Sequence, residues 1–281
     1  MKVWLDGALV DEAHALVSES DHGLTVGDGG FETLRTYGGR PFAVRRHLAR
    51  LAASAAVMGL PEPDGDRLRV ALDQVLAAHL PAHGGADGAV DATLRITVTS
   101  GPGPAGSARG DAGPTVVVTC APLPVWPPTV DVAVAPWPRN ERSALAGAKT
   151  TSYGENVVAL AWARARGATE AVFANLAGDL CEGTGSNVVV AAGGRLVTPP
   201  LQSGCLAGVT RALLVEACGV VEENLPLSAL AGASEAFLAS TTREVQPIRA
   251  VDGRPLPAAP GPLTAAVAVA FAALVATTPD P

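Results

Sequence analysis

Short apolar runs broken by glycine turns open the chain. Val3-Trp4-Leu5, an Asp6-Gly7 turn and a second short run read as two β-strands. A sharp turn is predicted at Gly27-Asp28-Gly29-Gly30, then a strand over 31–37 and a hairpin through Gly38-Gly39 to a strand over 41–44. The spacing then changes. Leu48, Leu51, Ala55 and Met58 share one helical face, which predicts a helix over about 47–58, stopped by Pro61. A second helix is expected over about 66–79. Strands over 93–99 and 115–120 follow, separated by a Gly/Pro-rich loop that starts at Gly101.

Residues 121–128 read Ala-Pro-Leu-Pro-Val-Trp-Pro-Pro, which is linker chemistry. Beyond it the pattern predicts strands over 130–135, 170–175, 187–192, 195–198 and 235–240. Helices are predicted over about 154–166 and 210–218. Leu263, Val267, Phe271 and Leu274 share a face of a last, Ala-rich helix over 263–276, which is too short and too weakly apolar to span a bilayer. Many short strands with few helices fit an α+β protein of two domains: 1–120, a linker over 121–128, and a barrel-like domain over 129–281.

Composition narrows the function. With 48% hydrophobic and 17% charged residues, the 281-residue chain can bury a core without staples. The net charge of −7 and the lack of a basic stripe argue against nucleic acid. Cys120, Cys181, Cys205 and Cys218 form no CxxC pair and have no histidine at metal spacing. Free thiols, no metal site, no membrane span and no leader before the first strand are expected, as in a cytoplasmic protein. The chain has only two lysines, Lys2 and Lys149; arginine carries nearly all the other positive charge. A lysine retained under that bias is a candidate for a task that needs an amine, since arginine cannot attack a carbonyl.

Four other segments carry candidate chemistry. Glu182 lies in Leu-Cys-Glu182-Gly-Thr-Gly-Ser-Asn187, where a carboxylate could keep a heteroaromatic nitrogen protonated; a turn glutamate held by backbone N–H groups is the plain alternative. Gly208-Val209-Thr210 precedes a helix and could cradle a phosphate, or Thr210 could simply cap that helix. Ser240-Thr241-Thr242 at a strand end offers hydroxyls. Arg50, placed roughly opposite the apolar stripe of its helix, could grip a phosphate bidentately or lie in solvent. Cys181 reads as a small buried hydrophobe beside Glu182.

In order, His47-x-x-Arg50-Leu51, Lys149, Glu182-Gly-x-x-Ser-Asn187, Gly208-Val-Thr-Arg211 and Ser240-Thr-Thr-x-Glu244 resemble the fold-type IV pyridoxal-phosphate enzymes. These include branched-chain and D-amino-acid aminotransferases and aminodeoxychorismate lyase. The resemblance covers almost the whole chain. It implies a two-domain α+β fold with pyridoxal 5'-phosphate between the domains. It implies that Lys149 forms the imine with the cofactor and serves as general base and acid. Glu182 would face the pyridine nitrogen, and Arg50, Val209, Thr210, Ser240 and Thr241 would hold the phosphate. Tyr153 would approach the phenolic oxygen, Leu206 the ring, and Asn187 would support the Glu182 turn. Phe31, Arg35, Arg95 and Thr242 are the substrate-side candidates. A homodimer with shared active sites is also implied.

Within that family, Lys-Thr-Thr-Ser-Tyr-Gly-Glu-Asn from Lys149 and Thr-Arg-Glu-Val-Gln-Pro from Thr242 look like the lyase branch. Ser100 stands where D-amino-acid transaminases place an arginine, and it cannot clamp a carboxylate as a guanidinium does. Aminodeoxychorismate lyase is the expected activity. The alternatives are an aminotransferase for a branched-chain amino acid, a D-amino acid or a small amine, and a non-catalytic pyridoxal-phosphate-binding protein.

Overall fold

A computed structural model describes residues 1–83 and 91–281. The chain forms two compact units. One holds Met1–Pro124, Ala148–Tyr153 and Pro279–Pro281; the other holds Val125–Gly147 and Gly154–Thr278.

The first unit is built on strands β1 (Lys2–Leu5), β2 (Ala8–Asp11), β3 (Gly29–Tyr37), β4 (Arg40–Pro41), β5 (Ala92–Thr99) and β6 (Val116–Pro122), in the sheet order β2-β1-β6-β5-β3-β4. Its helices are α1 (His22–Thr25), α2 (Val44–Met58) and α3 (Gly65–His83). Leu51 of α2 and Leu68, Leu72 and Val75 of α3 pack with Trp4, Leu34, Leu94, Ile96 and Val118 in one core. Side chains alternate along β3, so Glu32, Leu34 and Thr36 share one face and Phe31, Thr33 and Arg35 the other.

The second strand expected over 41–44 is only Arg40–Pro41, and α2 begins earlier than 47, at Val44. Ala43 takes a left-handed conformation, φ 54°, and turns the chain straight into the helix. The helix start is finished by residues distant in sequence. Ala43 N donates to Pro279 O at 2.9 Å, and Arg45 N donates to Asp280 Oδ1 at 2.9 Å.

The second unit contains β7 (Val130–Val134), α4 (Gly154–Arg164), β8 (Glu170–Ala174), β9 (Leu180–Gly183), β10 (Asn187–Ala192), β11 (Arg195–Thr198), α5 (Val209–Ala217), β12 (Val221–Glu222), α6 (Ser228–Ala231), β13 (Ala236–Ser240), β14 (Glu244–Val251), β15 (Arg254–Pro255) and α7 (Pro262–Thr277). Strands β10-β13-β14-β7-β8-β9 are neighbours in that order, and β9 pairs back onto β10. The six strands therefore close into a barrel, and the closing pair is Glu182 opposite Asn187. Val132, Val172, Leu180, Val188, Val190, Leu238 and Ile248 fill its core. The apolar α7 buries Val267 and Phe271. Among the described residues no helix is long and apolar enough to cross a membrane.

A cut at 121–128 assigns Lys149 to the C-terminal part. The structure corrects this: Ala148–Tyr153 packs with the first unit. Phe31 N donates to Lys149 O at 3.1 Å, Lys149 N to Ser54 Oγ at 3.0 Å, and Thr150 bridges Gly30. These bonds seat the lysine segment along β3.

Candidate active site

Lys149 is held at both ends. Its own main chain is fixed by β3 and α2, as above. Just beyond it, the hydroxyls of Thr151 and Ser152 each donate to Gly27 O at 2.9 Å. Gly27 has φ 71°, and a Cβ there would lie 2.6 Å from Ser152 Oγ, so the close approach requires glycine. The Lys149 side chain points along aromatic surface. Nζ lies 4.1 Å from the Phe31 ring centre and 3.4 Å from Tyr153 Oη. The Phe31 and Tyr153 rings meet edge to face at 5.2 Å. Arg95 reaches the same Phe31 ring, with its guanidinium carbon 3.8 Å from the ring centre. Phe31, Tyr153 and Arg95 thus gather around the one interior lysine.

Arg35 does not join them. It lies four residues along β3 from Phe31, about 13 Å away. Its guanidinium is 3.4 Å from Asp91 Oδ2 and stacks 4.2 Å over Tyr37. This is an anchor at the far end of the strand.

Arg50 is not turned to solvent. Its Nε and Nη2 each donate to Glu32 at 2.7 Å, so the bidentate grip expected for a phosphate is spent on a buried carboxylate. His47 Nδ1 bonds the same carboxylate at 2.7 Å. Glu32 is fully buried. Burial alone would raise its carboxyl, but the Arg50 charge and the bonds from Arg50 and His47 outweigh it and hold it at about 2. Burial in turn holds His47 below its ordinary value, against the pull of Glu32. Glu32 and His47 are site-adjacent residues that the sequence analysis did not assign. The signal was available: an acid directly after Phe31, on the same strand face as the core residue Leu34.

In the second unit, Glu182 sits at the barrel closure. Leu206 N donates to its Oε2 at 2.9 Å, and Arg139 Nε stands 3.1 Å from Oε1. Arg139 also packs 4.2 Å over Phe173. Arg139 was missed because nothing in Trp-Pro-Arg139-Asn distinguishes it from a surface arginine. Asn187, opposite Glu182, donates from Nδ2 to Leu206 O at 2.9 Å, so Glu182, Asn187 and Leu206 lock one another. Cys181 is buried behind them and donates to Ser203 O at 3.3 Å; burial pushes its thiol well up, which suits packing and not nucleophilic work.

Helix α5 starts at Val209 with Gly208 as its cap. No side chain caps it, and no acid stands in its first turn. Thr210 is buried there and does not act as the cap. An uncapped helix start of this kind suits a phosphate. Ser240, Thr241 and Thr242 lie half-buried in the turn from β13 to β14, with Ser240 Oγ accepting from Arg243 N at 3.3 Å. A Cβ on Gly208 would fall 2.0 Å from Asn187 Oδ1. Gly208→Ala is therefore expected to cost about 1–3 kcal/mol by overpacking and to weaken anion binding at α5. An unchanged melting temperature would contradict this.

Each unit by itself presents groups that fit pyridoxal phosphate: an amine against aromatic rings in the first, and an oriented carboxylate and an uncapped helix start in the second. The lysine of the first unit, set against two aromatic rings, is suited to carbonyl–amine chemistry. Comparison with known proteins fixes the class. The family described as amino-transferase class IV matches residues 29–251. A putative branched-chain-amino-acid aminotransferase of Methanocaldococcus jannaschii is 33% identical over 90% of this chain and 89% of its own. A bifunctional aminodeoxychorismate lyase/D-amino acid transaminase of Mycobacterium tuberculosis is 31% identical over 98% and 97%. The solved structure of a hypothetical aminotransferase from Mycobacterium tuberculosis in its PLP-bound form superposes with a TM-score of 0.84, at 28% identity over 97% and 98% of the two chains. The chain belongs to the class IV aminotransferase family. It is a fold-type IV, pyridoxal-phosphate-dependent enzyme.

Proposed function

We propose that this enzyme is a lyase of the aminodeoxychorismate type, releasing 4-aminobenzoate and pyruvate. The observation that carries the reading is the sharing of the Phe31 ring by Lys149 and Arg95. It sets a fixed positive charge beside the reacting amine, where a carboxylate-bearing substrate can be read. Ser100 at the end of the same strand supplies no second guanidinium, which weighs against a D-amino acid carboxylate clamp. The bifunctional relative supports the reading, because a chain so similar in length and sequence bears a name that includes the lyase.

Bound pyridoxal phosphate supplies an aldehyde that joins the substrate amine and a ring that takes up an electron pair. The rest falls to the protein. Lys149 takes the proton from the carbon bearing the amine, then delivers it to the methylene of the enol-ether side chain. The carbon–oxygen bond to the ring breaks, pyruvate leaves, and the ring becomes aromatic. Tyr153, at hydrogen-bond range of Nζ, orients the amine between these two transfers. Glu182 would hold a proton on the pyridine nitrogen, and Arg139 and the Leu206 N–H keep Glu182 aimed. The α5 start with Val209 and Thr210 and the hydroxyls of Ser240 and Thr241 would hold the phosphate, Leu206 would pack on the ring and Thr242 would lie on the substrate side, while Arg50 stays engaged with Glu32.

Given aminodeoxychorismate, the holoenzyme is expected to release 4-aminobenzoate and pyruvate in equal amounts over many turnovers. Arg95→Ala should raise KM at least about tenfold, the loss of one charge-assisted contact, with a smaller change in kcat. Absence of both products from an intact holoenzyme would reject the lyase. Transamination of a branched-chain or D-amino acid is the second reading, favoured by the archaeal relative's name, and the same preparation would then yield a keto acid.

The enzyme is further proposed to act as a homodimer with shared active sites and to work in the cytoplasm. Leu16, Val17, Leu24 and Val26 present exposed apolar side chains on the first unit, which fits a covering partner copy. Sedimentation of a monomer at micromolar concentration would remove the dimer.

A further inference from the structure

Two turns of the second unit carry proposed cofactor contacts, and one buried ion pair joins them. Glu170 on β8 is only 2% exposed. Its Oε1 accepts from Thr184 N at 3.1 Å and from the Thr184 hydroxyl, in the turn directly after Glu182. Its Oε2 lies 3.2 Å from Arg243 Nη2, in the turn directly after Thr242. Arg243 also donates to Gln246 Oε1, and its guanidinium carbon lies 3.8 Å over the Trp126 ring. Gln246 Nε2 donates to Pro127 O at 2.8 Å. Asn156 Nδ2 donates to Thr184 O at 2.5 Å and holds the Glu182-side turn from its other flank.

A carboxylate here does what an apolar residue could not. Its two oxygens are used on different turns, and each bond is directional. Buried ion pairs are poor sources of net stability, because desolvation of both charges offsets their attraction. Their better use is to fix one geometry among several, and the geometry fixed here is that of the turns bearing Glu182 and the Ser240–Thr242 hydroxyls.

We propose that Glu170 and Arg243 are positioning residues. They set the Glu182 turn against the Ser240–Thr242 turn so that both meet one cofactor, and Trp126 and Gln246 seat Arg243 for that task. The proposal rests on the cofactor contacts assigned under the proposed function.

The test measures two quantities on each variant: melting of the cofactor-free protein, and pyridoxal phosphate affinity by absorbance titration. Arg243→Met leaves Glu170 buried without its partner and should lower both. Glu170→Gln/Arg243→Met removes both charges. It should regain most of the lost melting temperature while still binding cofactor at least about tenfold more weakly, as displaced supporting residues do. Recovery of wild-type affinity along with the melting temperature would mean the pair only stabilises, and would overturn the proposal. Should the double variant fail to fold, Arg243→Lys keeps the charge but loses the planar fork. It should melt near wild type yet bind at least about tenfold more weakly; wild-type affinity would again overturn it. Glu182→Ala and Thr241→Val are measured alongside. If these leave affinity unchanged, the cofactor contacts themselves are misassigned, and the proposal falls with them for a different, recognisable reason.

Discussion

Lys149→Ala is expected to reduce turnover by at least about 10⁴-fold, the combined loss of the covalent amine and the acid–base group. The protein should still fold. The lysine's main-chain bonds to Phe31 and Ser54 do not depend on its side chain, and Tyr153 still packs on Phe31. The variant should therefore melt close to wild type while losing the absorbance of the lysine-linked cofactor. Lys149→Arg separates charge from chemistry. It restores a cation beside Phe31 but no amine that can join a carbonyl, so it should be as inactive as alanine. Activity within tenfold of wild type in either variant would contradict the role given to this residue.

The second large effect is expected at Glu32. Glu32→Ala removes the common partner of Arg50 and His47, leaving a guanidinium buried without its carboxylate. Such a change costs about 3–5 kcal/mol, which for a unit of this size lowers the melting temperature by about 10 °C or more. The same cluster gives the fold an acid limb. Glu32 stands at about 2 in the fold against an ordinary 4.5, so its stabilisation is complete above about 4.5 and is lost as pH falls towards 2. His47 is also lowered, so the fold favours its neutral form. Its contribution is present above 6.5 and declines as pH falls below that value. Denaturant unfolding from pH 8 down to 4 should show stability beginning to fall below about 6.5, and His47→Gln should flatten that first decline. A wild-type profile flat down to pH 4 would contradict the assignment.

Much of this was legible from residues alone, and the reasons differ by element. Strands β10 and β11 were predicted to the residue, because apolar runs with clear turn glycines leave little choice. Helix α7 followed from the spacing of Val267 and Phe271. Strand β14 was not predicted. Pro247 interrupts it, and the strand survives because its neighbours β13 and β7 supply the ladder on both sides. The early start of α2 was hidden because its capping groups come from Pro279 and Asp280, more than two hundred residues away.

The site divides in the same way. Lys149 stood out because lysine is so rare here, and Glu182 and Gly208 because their turns carry a recognisable order. Whether an arginine points outward or inward was not legible. Arg50 was placed away from the apolar stripe, yet it turns onto Glu32, and Arg35 lies on the same strand face as Phe31 but pairs with Asp91. Sequence spacing gives the face of an element; the partner that captures a long, charged side chain is set by the tertiary fold. Arg139 and Glu170 escaped notice for that reason.

The central claim is that one lysine carries the cofactor, and the chain supplies its own control, since Lys2 is the only other lysine. The decisive measurement is borohydride reduction of the holoenzyme followed by proteolysis and mass spectrometry. One reduced pyridoxyl group per chain is expected, on the peptide that contains Lys149, and none on Lys2. Label on Lys2, or a cofactor-loaded protein that takes no label on Lys149, would contradict it.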